Sequence, residues 1–326
     1  MRIAVLGAGA WGTALAISFS ARHDVSLWAR NRAQIDEMVR THENARYLRG
    51  VGFPDGLKPL GDFAEATQHA ELLILASPLA GLRHTLELMH DGGLMAPFVW
   101  VCKGLEAGSG LLPHQVVGQV LGERRCGVLT GPSFALELAQ GLPTVVTLAS
   151  RDTDFALSTA DALHGPNLRI YATDDVIGAE VGGAVKNVMA IATGICDGMN
   201  LGTNARAALL TRGLAEITRL GVALGGKQST FMGLSGMGDL ILTCTGDLSR
   251  NRRVGLLLAS GKPLSDITRE LGHVAEGVPA AREVSRRAHE LNIRMPLTDA
   301  VCAILDGRMT PQQGLQSMMS RAAGNE

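Results

Sequence analysis

Two hydrophobic patterns alternate along the first half of the chain. Short apolar runs such as residues 72–76 and 99–101 predict buried strands, and the segments between them have helical spacing, as near residues 32–41. Apolar strands separated by helices are typical of a mostly parallel sheet covered on both faces. The predicted strands are residues 2–6, 24–28, 57–60, 72–76, 99–101, 126–129, 144–148 and 168–171.

From about residue 177 the pattern becomes helical. Strand signals largely disappear, and apolar residues recur at helical spacing over 205–220, 252–258 and 280–291. A chain of 326 residues has the length of about two domains. We therefore expect an α/β domain with a doubly wound sheet over residues 1–178 and an all-α domain over residues 179–326.

A glycine-rich turn follows the first predicted strand. Gly7 permits the tight turn, Gly9 lets a phosphate approach bare backbone, and Gly12 lets the following helix lie close to the strand. The helix, which the run of good helix formers predicts from Thr13, would point its unpaired N–H groups at the anion. This order of strand, turn and helix predicts a Rossmann-type dinucleotide site.

The end of the second strand indicates which dinucleotide is bound. Where NAD-binding chains place an acid for the ribose 2′-hydroxyl, this chain has Arg30, Asn31 and Arg32. Arginine accommodates a 2′-phosphate, and we infer that Arg30 does so, with Arg32 as a second contact. The predicted cofactor is NADP(H), with NAD(H) as the alternative.

Bulk composition excludes several classes of function. The net charge of −1 and the 4% aromatic content argue against a nucleic-acid partner. Five scattered cysteines predict a reducing, cytoplasmic setting without disulfides, and the histidine spacing predicts no metal site. Residues 3–21 carry no charge, which would fit a membrane span or signal segment, but glycines at phosphate-loop spacing favour the nucleotide site and no span.

Only five of the thirty basic residues are lysine, and two of them stand in unusual surroundings. Lys186 has glycines and apolar residues one turn away on either side. Burial there would lower its pKa, so the side chain would need a carboxylate from elsewhere in the fold. Lys103 follows a strand end, where substrates of such sheets bind. The alternatives are a Lys186 that reaches the surface over small residues and a Lys103 exposed in its loop.

A third cluster lies between residues 233 and 253. Asp239 follows a glycine-rich turn and is the best candidate to hold Lys186. Ser249, Arg250 and Asn251 precede a predicted helix, so side chains and helix amides together could bind a phosphate. The alternative is a basic surface loop in which Ser249 or Asn251 caps that helix.

Taken together, these motifs resemble one family over nearly the whole chain, the bacterial NAD(P)-dependent glycerol-3-phosphate dehydrogenases. The resemblance is carried by Gly7–Ala14, Lys103-Gly104, Gly131-Pro132-Ser133-Phe134-Ala135, Val185-Lys186-Asn187, Gly236-Met237-Gly238-Asp239 and Ser249-Arg250-Asn251-Arg252. It implies a helical domain like that of 6-phosphogluconate dehydrogenase. It also implies a cytoplasmic homodimer that interconverts dihydroxyacetone phosphate and sn-glycerol 3-phosphate for phospholipid synthesis.

The same resemblance implies roles for individual residues. Lys186 would be the proton donor and acceptor, with Asp239 and Thr243 as its polar partners. Lys103 would contact both substrate and cofactor. Further implied substrate contacts are Gly131, Ser133, Ser249, Arg250 and Asn251, and further implied cofactor contacts are Trp11, Arg30, Ala135, Arg250, Val274 and Glu276.

Three other functions are open at this point. A β-hydroxyacid or ketopantoate-type reductase shares the domain plan but needs a carboxylate site in place of the phosphate contacts. A non-catalytic NADPH-binding regulator has no need of Lys186, Asp239 and Lys103 together. A redox switch at Cys102 or Cys244 is the third, although buried inert thiols are more common.

Overall fold

The computed structural model describes residues 1–271 and 275–320, and contacts divide the chain into two units. The first unit consists of Met1–Lys103 and Leu111–Ala179, and the second of Gly104–Gly110 together with the chain from Glu180 onward. Within the second unit, the loop Gly104–Gly110 is held by a hydrogen bond from Gly108 N to Glu283 Oε1 at 3.0 Å.

The first unit is built on a sheet of eight strands in the order β10-β9-β8-β7-β6-β1-β2-β5. Pairing is parallel from β5 through to β8; β9 is antiparallel to β8, and β10 is parallel to β9. The predicted mostly parallel sheet is thereby confirmed. The strands are β1 (Arg2–Leu6), β2 (Asp24–Trp28), β5 (Leu57–Leu60), β6 (Leu72–Leu75), β7 (Phe98–Trp100), β8 (Cys126–Thr130), β9 (Thr144–Ala149) and β10 (Leu168–Thr173).

Both faces of this sheet are covered, as the apolar strands predict. In β1, Ile3 and Val5 belong to one buried cluster while Ala4 and Leu6 belong to another, because successive side chains of a strand point to opposite faces. The helices of this unit are α1 (Ala10–Ser20), α2 (Arg32–Thr41), α3 (Phe63–Thr67), α4 (Leu79–Asp91), α5 (Pro113–Leu121), α6 (Ala135–Ala139) and α7 (Thr153–Leu163).

Three details of this unit differ from the sequence prediction. Helix α1 begins at Ala10, three residues before Thr13. A small antiparallel pair of β3 (Glu43–Asn44) and β4 (Leu48–Gly52) was not predicted, because two residues and a glycine-containing, largely exposed run carry no apolar alternation. The antiparallel direction of β9 relative to β8 was not predicted either. The connection between the two strands contains only the five-residue helix α6, so β9 starts near the end of β8 and runs back along it.

The second unit is helical in the residues described. Its core packs around α8 (Val176–Gly198), whose first turn belongs to the first unit, with Val188 and Ile191 among the buried residues. The other elements are α9 (Gly202–Ala223), α10 (Gln228–Phe231), a π-helical turn Leu234–Gly238, α11 (Asp239–Thr245), α12 (Arg250–Ala259), α13 (Leu264–Leu271), α14 (Gly277–Glu290), α15 (Pro296–Leu305) and α16 (Pro311–Met319).

Glycines let two helices of this unit approach closely. A Cβ on Gly194 of α8 would lie 2.0 Å from the carbonyl oxygen of Arg252, and one on Gly255 of α12 would lie 2.1 Å from that of Ile191. Since real side chains do not approach so closely, both positions require glycine. This crossing places the beginning of α12 beside α8.

Helix α8 is long and apolar enough to cross a membrane by length and composition, and it is the one such helix found in the described residues. In the structure, 89% of its apolar window is buried within the protein. It also carries Glu180, Lys186 and Asn187, all buried. This burial is that of a core helix.

Candidate active site

The glycine loop lies where the strand order of the sheet reverses, between β1 and β6. Gly7 has a φ of +131°, and a Cβ there would lie 2.6 Å from the carbonyl carbon of Ala76, at the end of β6. A Cβ on Gly12 would lie 2.0 Å from the carbonyl oxygen of Gly7. The two predicted glycine requirements, a tight turn and close helix packing, are confirmed.

The same loop leaves room for a ligand. A Cβ on Gly9 would meet no described atom within 4 Å, and Gly9 is the N-cap of α1 without a side-chain capping hydrogen bond. The first turn of α1 contains no acidic residue, so its positive end is not neutralised from within the helix. An open backbone at a helix N-terminus suits a pyrophosphate, so the residues present fit a dinucleotide.

The end of β2 presents basic side chains. Arg30 and Arg32 are exposed, while the side chain of Asn31 accepts a hydrogen bond from Gln34 N at 3.3 Å and caps α2. Asn31 is therefore used to start the helix, and the two arginines are available to an anionic ligand. Their contact with a 2′-phosphate stays a prediction.

Three of the predicted substrate residues meet at the ends of β7 and β8. Lys103 Nζ donates to the carbonyl oxygen of Gly131 at 3.4 Å, and Ser133 Oγ donates to the same oxygen at 2.9 Å. Gly131 has a φ of +138°, a conformation that favours glycine. The structure thus brings together an ammonium, a hydroxyl and a glycine turn that lie 30 residues apart at most in the sequence.

Lys186 is buried and paired, as the sequence predicts. It is 7% exposed, and its Nζ donates a short hydrogen bond to Oδ1 of Asp239, which is 1% exposed. The alternative of a lysine reaching the surface is wrong. Burying this ion pair costs desolvation free energy, which the charge attraction repays only when geometry is good.

The surroundings of the pair explain the small residues predicted to pack closely. A Cβ on Gly182 would lie 2.2 Å from the carbonyl oxygen of Ser235, so α8 contacts the π-helical turn that precedes Asp239. Thr243, one turn after Asp239 in α11, donates to the main-chain oxygen of Asp239 at 2.7 Å and lies 3.5 Å from its Oδ1. Thr243 therefore contacts the carboxylate that holds Lys186.

Asn251 links three helices through its amide. Its Nδ2 donates to Oδ1 of Asn187 at 2.9 Å, and its Oδ1 accepts from Gly277 N at 3.0 Å. Asn187 directly follows Lys186, so this contact connects the site of Lys186 with the starts of α12 and α14. Asn187 takes one N–H of the Asn251 amide, and Gly277 N donates to its oxygen. The second N–H of the amide is therefore the group that remains for an anionic ligand.

The start of α12 combines a cap and a basic side chain. Ser249 accepts a hydrogen bond from Arg252 N at 3.3 Å and is the N-cap, so the capping alternative is confirmed for Ser249. Arg250 is exposed and forms no ion pair with another described residue. A free guanidinium at a helix N-terminus is suited to a phosphate.

Arg252 holds the start of α12 through hydrogen bonds with two carboxylates. Its Nε and Nη2 donate to Oδ2 of Asp197 at 3.0 and 2.8 Å, and its Nη1 donates to Asp247 at 2.9 Å. Arg206 also pairs with Asp197, at 3.3 Å. Neither Asp197 nor Asn187 was assigned a role from the sequence, because no spacing connects them with residues that lie 55 and 64 positions further on.

The remaining predicted cofactor residues are dispersed. Trp11 is half-buried in the first turn of α1, Ala135 begins α6, and Glu276 is the N-cap of α14. Val274 lies outside the described residues. No group of histidine, cysteine and acidic residues suited to a metal ion occurs in the described part of the chain.

The two cysteines named as a possible redox switch are buried. Cys102 and Cys244 are both buried, and burial raises the pKa of the Cys244 thiol to about 12. Since the thiolate is the reactive form, Cys244 does not support a redox switch at neutral pH.

The two halves of the chain match two models of one family. Residues 2–156 match the N-terminal model of NAD-dependent glycerol-3-phosphate dehydrogenase, and residues 175–316 match the C-terminal model. A glycerol-3-phosphate dehydrogenase [NAD(P)+] from Dechloromonas aromatica is 59% identical over 322 residues, which cover 98% of each chain.

Solved structures are similar as well. A crystal structure of glycerol-3-phosphate dehydrogenase from Coxiella burnetii has a TM-score of 0.94 at 41% identity, over 98% of this chain and 99% of the other. A ketopantoate reductase from Ralstonia eutropha has a TM-score of 0.62 at 16% identity, covering 97% and 100%, which shows a shared fold alone. With both halves matched and this identity along its length, the chain belongs to the NAD-dependent glycerol-3-phosphate dehydrogenase family.

Proposed function

We propose that this chain catalyses the reversible, NAD(P)H-dependent reduction of dihydroxyacetone phosphate to sn-glycerol 3-phosphate. Membership of the family supports the reaction, and the observation that carries the mechanism is the buried pair of Lys186 and Asp239. A lysine held at a buried carboxylate can donate a proton where an arginine cannot.

The glycine loop is the proposed binding site of the cofactor. Gly7, Gly9 and Gly12 would hold the pyrophosphate at the start of α1, and Arg30 with Arg32 would hold a 2′-phosphate, which favours NADP(H) over NAD(H). Trp11, Lys103, Ala135, Arg250, Val274 and Glu276 are the further proposed contacts. When bound, the reduced nicotinamide supplies a hydride to the carbonyl carbon of the substrate.

Lys186 is the proposed general acid. As the carbonyl carbon is reduced, negative charge develops on its oxygen, and Lys186 Nζ gives that oxygen a proton. The amine then recovers a proton from solvent, and Asp239 stabilises the ammonium so formed. In the reverse direction the neutral amine removes the hydroxyl proton. Thr243 positions Asp239 through the contacts described above.

Other residues bind and orient the substrate. Lys103 provides fixed positive charge for the developing oxyanion, and Gly131 and Ser133 shape the loop beside it. Arg250, with the start of α12 at Ser249 and Asn251, is proposed to bind the phosphate. Because the phosphate does not react, its binding energy serves to orient the carbonyl.

The wider role follows the family. We propose that residues 1–178 bind the cofactor and contribute the substrate contacts Lys103, Gly131 and Ser133, and that residues 179–326 carry the phosphate-binding and proton-transfer groups. The protein would act in the cytoplasm as a homodimer, and its product would feed glycerophospholipid synthesis.

Substrate selectivity tests this proposal. Purified protein with NADPH should oxidise the cofactor rapidly when dihydroxyacetone phosphate is added, and slowly with ketopantoate or another 2-oxo or 3-oxo acid, because these lack the phosphate. Preference for an oxo acid would support the reductase alternative. NADPH binding without turnover of either class would support the regulator alternative.

A further inference from the structure

Two buried amide side chains converge on one carbonyl of the glycine loop. Gln34 Nε2 donates to the main-chain oxygen of Ala8 at 2.9 Å, and Asn44 Nδ2 donates to the same oxygen, also at 2.9 Å. Gln34 belongs to α2 and Asn44 to β3, so the donors reach the loop from different elements. One peptide of the loop is thereby held from two sides.

Asn44 also connects the loop to the helix behind it. Its Nδ2 donates to Oγ1 of Thr13, in the first turns of α1, at 2.8 Å. A carbonyl oxygen can only accept, so the contact with Ala8 determines which end of the Asn44 amide faces the loop. Asn44 Oδ1 then has no hydrogen-bond partner among the described residues. A buried acceptor without a partner is unfavourable, so it offsets part of the stabilisation from the two hydrogen bonds that Nδ2 donates.

These contacts determine the direction of the next N–H group. The structure has no cis peptide in its described residues, and in a trans peptide the carbonyl of Ala8 and the N–H of Gly9 point in opposite directions. Because the oxygen points at Gln34 and Asn44, the N–H of Gly9 points away from them. A Cβ on Gly9 would meet no described atom within 4 Å, so that part of the loop has room for an anion.

We propose that Gln34 and Asn44 are positioning residues for cofactor binding, which present the Gly9 N–H to the pyrophosphate without touching the ligand. This inference rests on the proposed function, since it requires the loop to bind a dinucleotide. It assigns a role to the β3–β4 pair, which the sequence pattern did not predict.

Two ligand fragments separate this role from a general loss of structure. 2′-Phospho-ADP-ribose contains the pyrophosphate, whereas 2′-AMP contains the adenosine and 2′-phosphate without it. In calorimetric titrations, Asn44→Ala should lower the affinity for 2′-phospho-ADP-ribose by about tenfold, and Gln34→Ala should lower it by a smaller factor. These are the effects expected when one hydrogen bond loses its orientation. Affinity for 2′-AMP should change by less than about twofold in both variants.

Ser150→Ala is the matched control. Ser150 is buried and donates to the carbonyl oxygen of Cys126 at 2.6 Å, a contact of the same kind at the start of β8. This variant should lower the melting temperature and leave both dissociation constants unchanged.

The possible outcomes are distinct. Equal loss of both ligands, or unchanged affinity for 2′-phospho-ADP-ribose in a folded variant, would overturn the positioning role. If Asn44→Ala does not fold, Gln34→Ala decides, because among the described residues the side chain of Gln34 forms a hydrogen bond with the loop carbonyl alone. Wild-type protein that binds neither these fragments nor ADP-ribose would overturn the proposed function instead.

Discussion

Lys186 combines two requirements that conflict in most places of a protein. A buried ammonium needs an anion beside it, and a proton donor must be able to lose its proton. Asp239 meets the first requirement, and the choice of lysine in a chain rich in arginine meets the second. Both residues are buried in the second unit and both take part in the proposed reaction, so a test must separate an effect on stability from an effect on catalysis.

Substitution of Lys186 by arginine and by alanine makes this separation. Lys186→Ala should lower kcat by about 10²-fold to 10⁴-fold, the usual contribution of a general acid. Lys186→Arg keeps a positive charge beside Asp239 but cannot release a proton, so it should be nearly as inactive while more stable than the alanine variant. Steady-state kinetics, NADPH titration and thermal denaturation measure these effects. Loss of NADPH binding in a folded variant would contradict the assignment.

Arg250 has a matched control three residues further along the same helix. Arg250→Met should raise KM for dihydroxyacetone phosphate by at least about tenfold, because a charge-assisted contact with the phosphate is lost. Arg253 is also exposed, and its Nη2 lies 3.9 Å from Oε1 of Glu270, which makes a weak surface ion pair. Arg253→Met should therefore leave KM near the wild-type value. Equal KM values in the two variants would argue against a phosphate contact at Arg250.

At the scale of elements, close helix contacts place the side chains of the second unit. The crossing of α8 and α12 at Gly194 and Gly255 brings the start of α12 beside the end of α8, where Arg252 meets Asp197. The close contact of Gly182 with the π-helical turn likewise brings Asp239, which directly follows that turn, beside α8. The sequence shows these glycines, but their partners depend on which helices meet.

A pair of glycine substitutions tests this crossing. Gly194→Ala would place a methyl 2.0 Å from a carbonyl oxygen and should destabilise the protein by about 1–3 kcal/mol or more. Gly118 lies within α5, where an added Cβ meets no described atom within 4 Å, so Gly118→Ala should stabilise it by about 0.5–1 kcal/mol. Chemical denaturation measures both. A neutral Gly194→Ala would mean that the helices separate at little cost.

Glu216 caps a helix from a neighbouring element. Its carboxylate in α9 accepts from Leu297 N at 2.6 Å and from Thr298 N and Oγ1 at 3.1 and 3.0 Å, at the start of α15, where Met295 provides no side-chain cap. Burial raises the pKa of Glu216, and these hydrogen bonds oppose the shift. The native state therefore binds its proton more tightly than the unfolded chain does.

The sign of the pH dependence follows from this shift. Because the native pKa is higher, the contribution of Glu216 to the free energy of unfolding is largest at low pH and falls as pH rises from the unfolded pKa through the native pKa. Wild type and Glu216→Gln should be denatured at a series of pH values. Over this window, the free energy of unfolding of wild type should fall relative to that of Glu216→Gln as pH rises. A difference that grows in favour of wild type as pH rises would contradict a raised pKa.

At the scale of the whole molecule, burial decides which of the five cysteines can react. Cys102, Cys196, Cys244 and Cys302 are buried, and Cys126 is partly exposed. Burial raises the pKa of Cys244 to about 12 and of Cys302 to about 11. No redox device follows from their presence in the sequence.

Alkylation of the native protein checks this distribution. With iodoacetamide at neutral pH, Cys126 should be modified first and Cys244 and Cys302 last, because a thiolate is needed and their burial opposes it. Peptide mass spectrometry gives the order, and Cys126→Ser should leave activity unchanged and remove the fast phase. Early modification of Cys244 would show that the core around Lys186 opens readily.

Much of the fold could be predicted because its signals are local. The glycine loop, the buried strands and the main helices depend on backbone sterics and on spacing between near neighbours, and the structure confirms them. The antiparallel turn of β9 and the β3–β4 pair depend instead on a short connection and on pairing that no hydrophobic alternation marks.

The chemistry of the chain divides in the same way. The sequence by itself determined where a dinucleotide could bind and that Lys186 would need a carboxylate, because small residues, charge and burial tendency are properties of single segments. The sequence also indicated Asp239, 53 residues away, as the candidate carboxylate, and the structure confirms this pair. Tertiary structure alone decided that Asn251 joins Asn187 to Gly277. The physical reason is that hydrogen bonds act over about 3 Å, so their partners are set by the packing of whole helices.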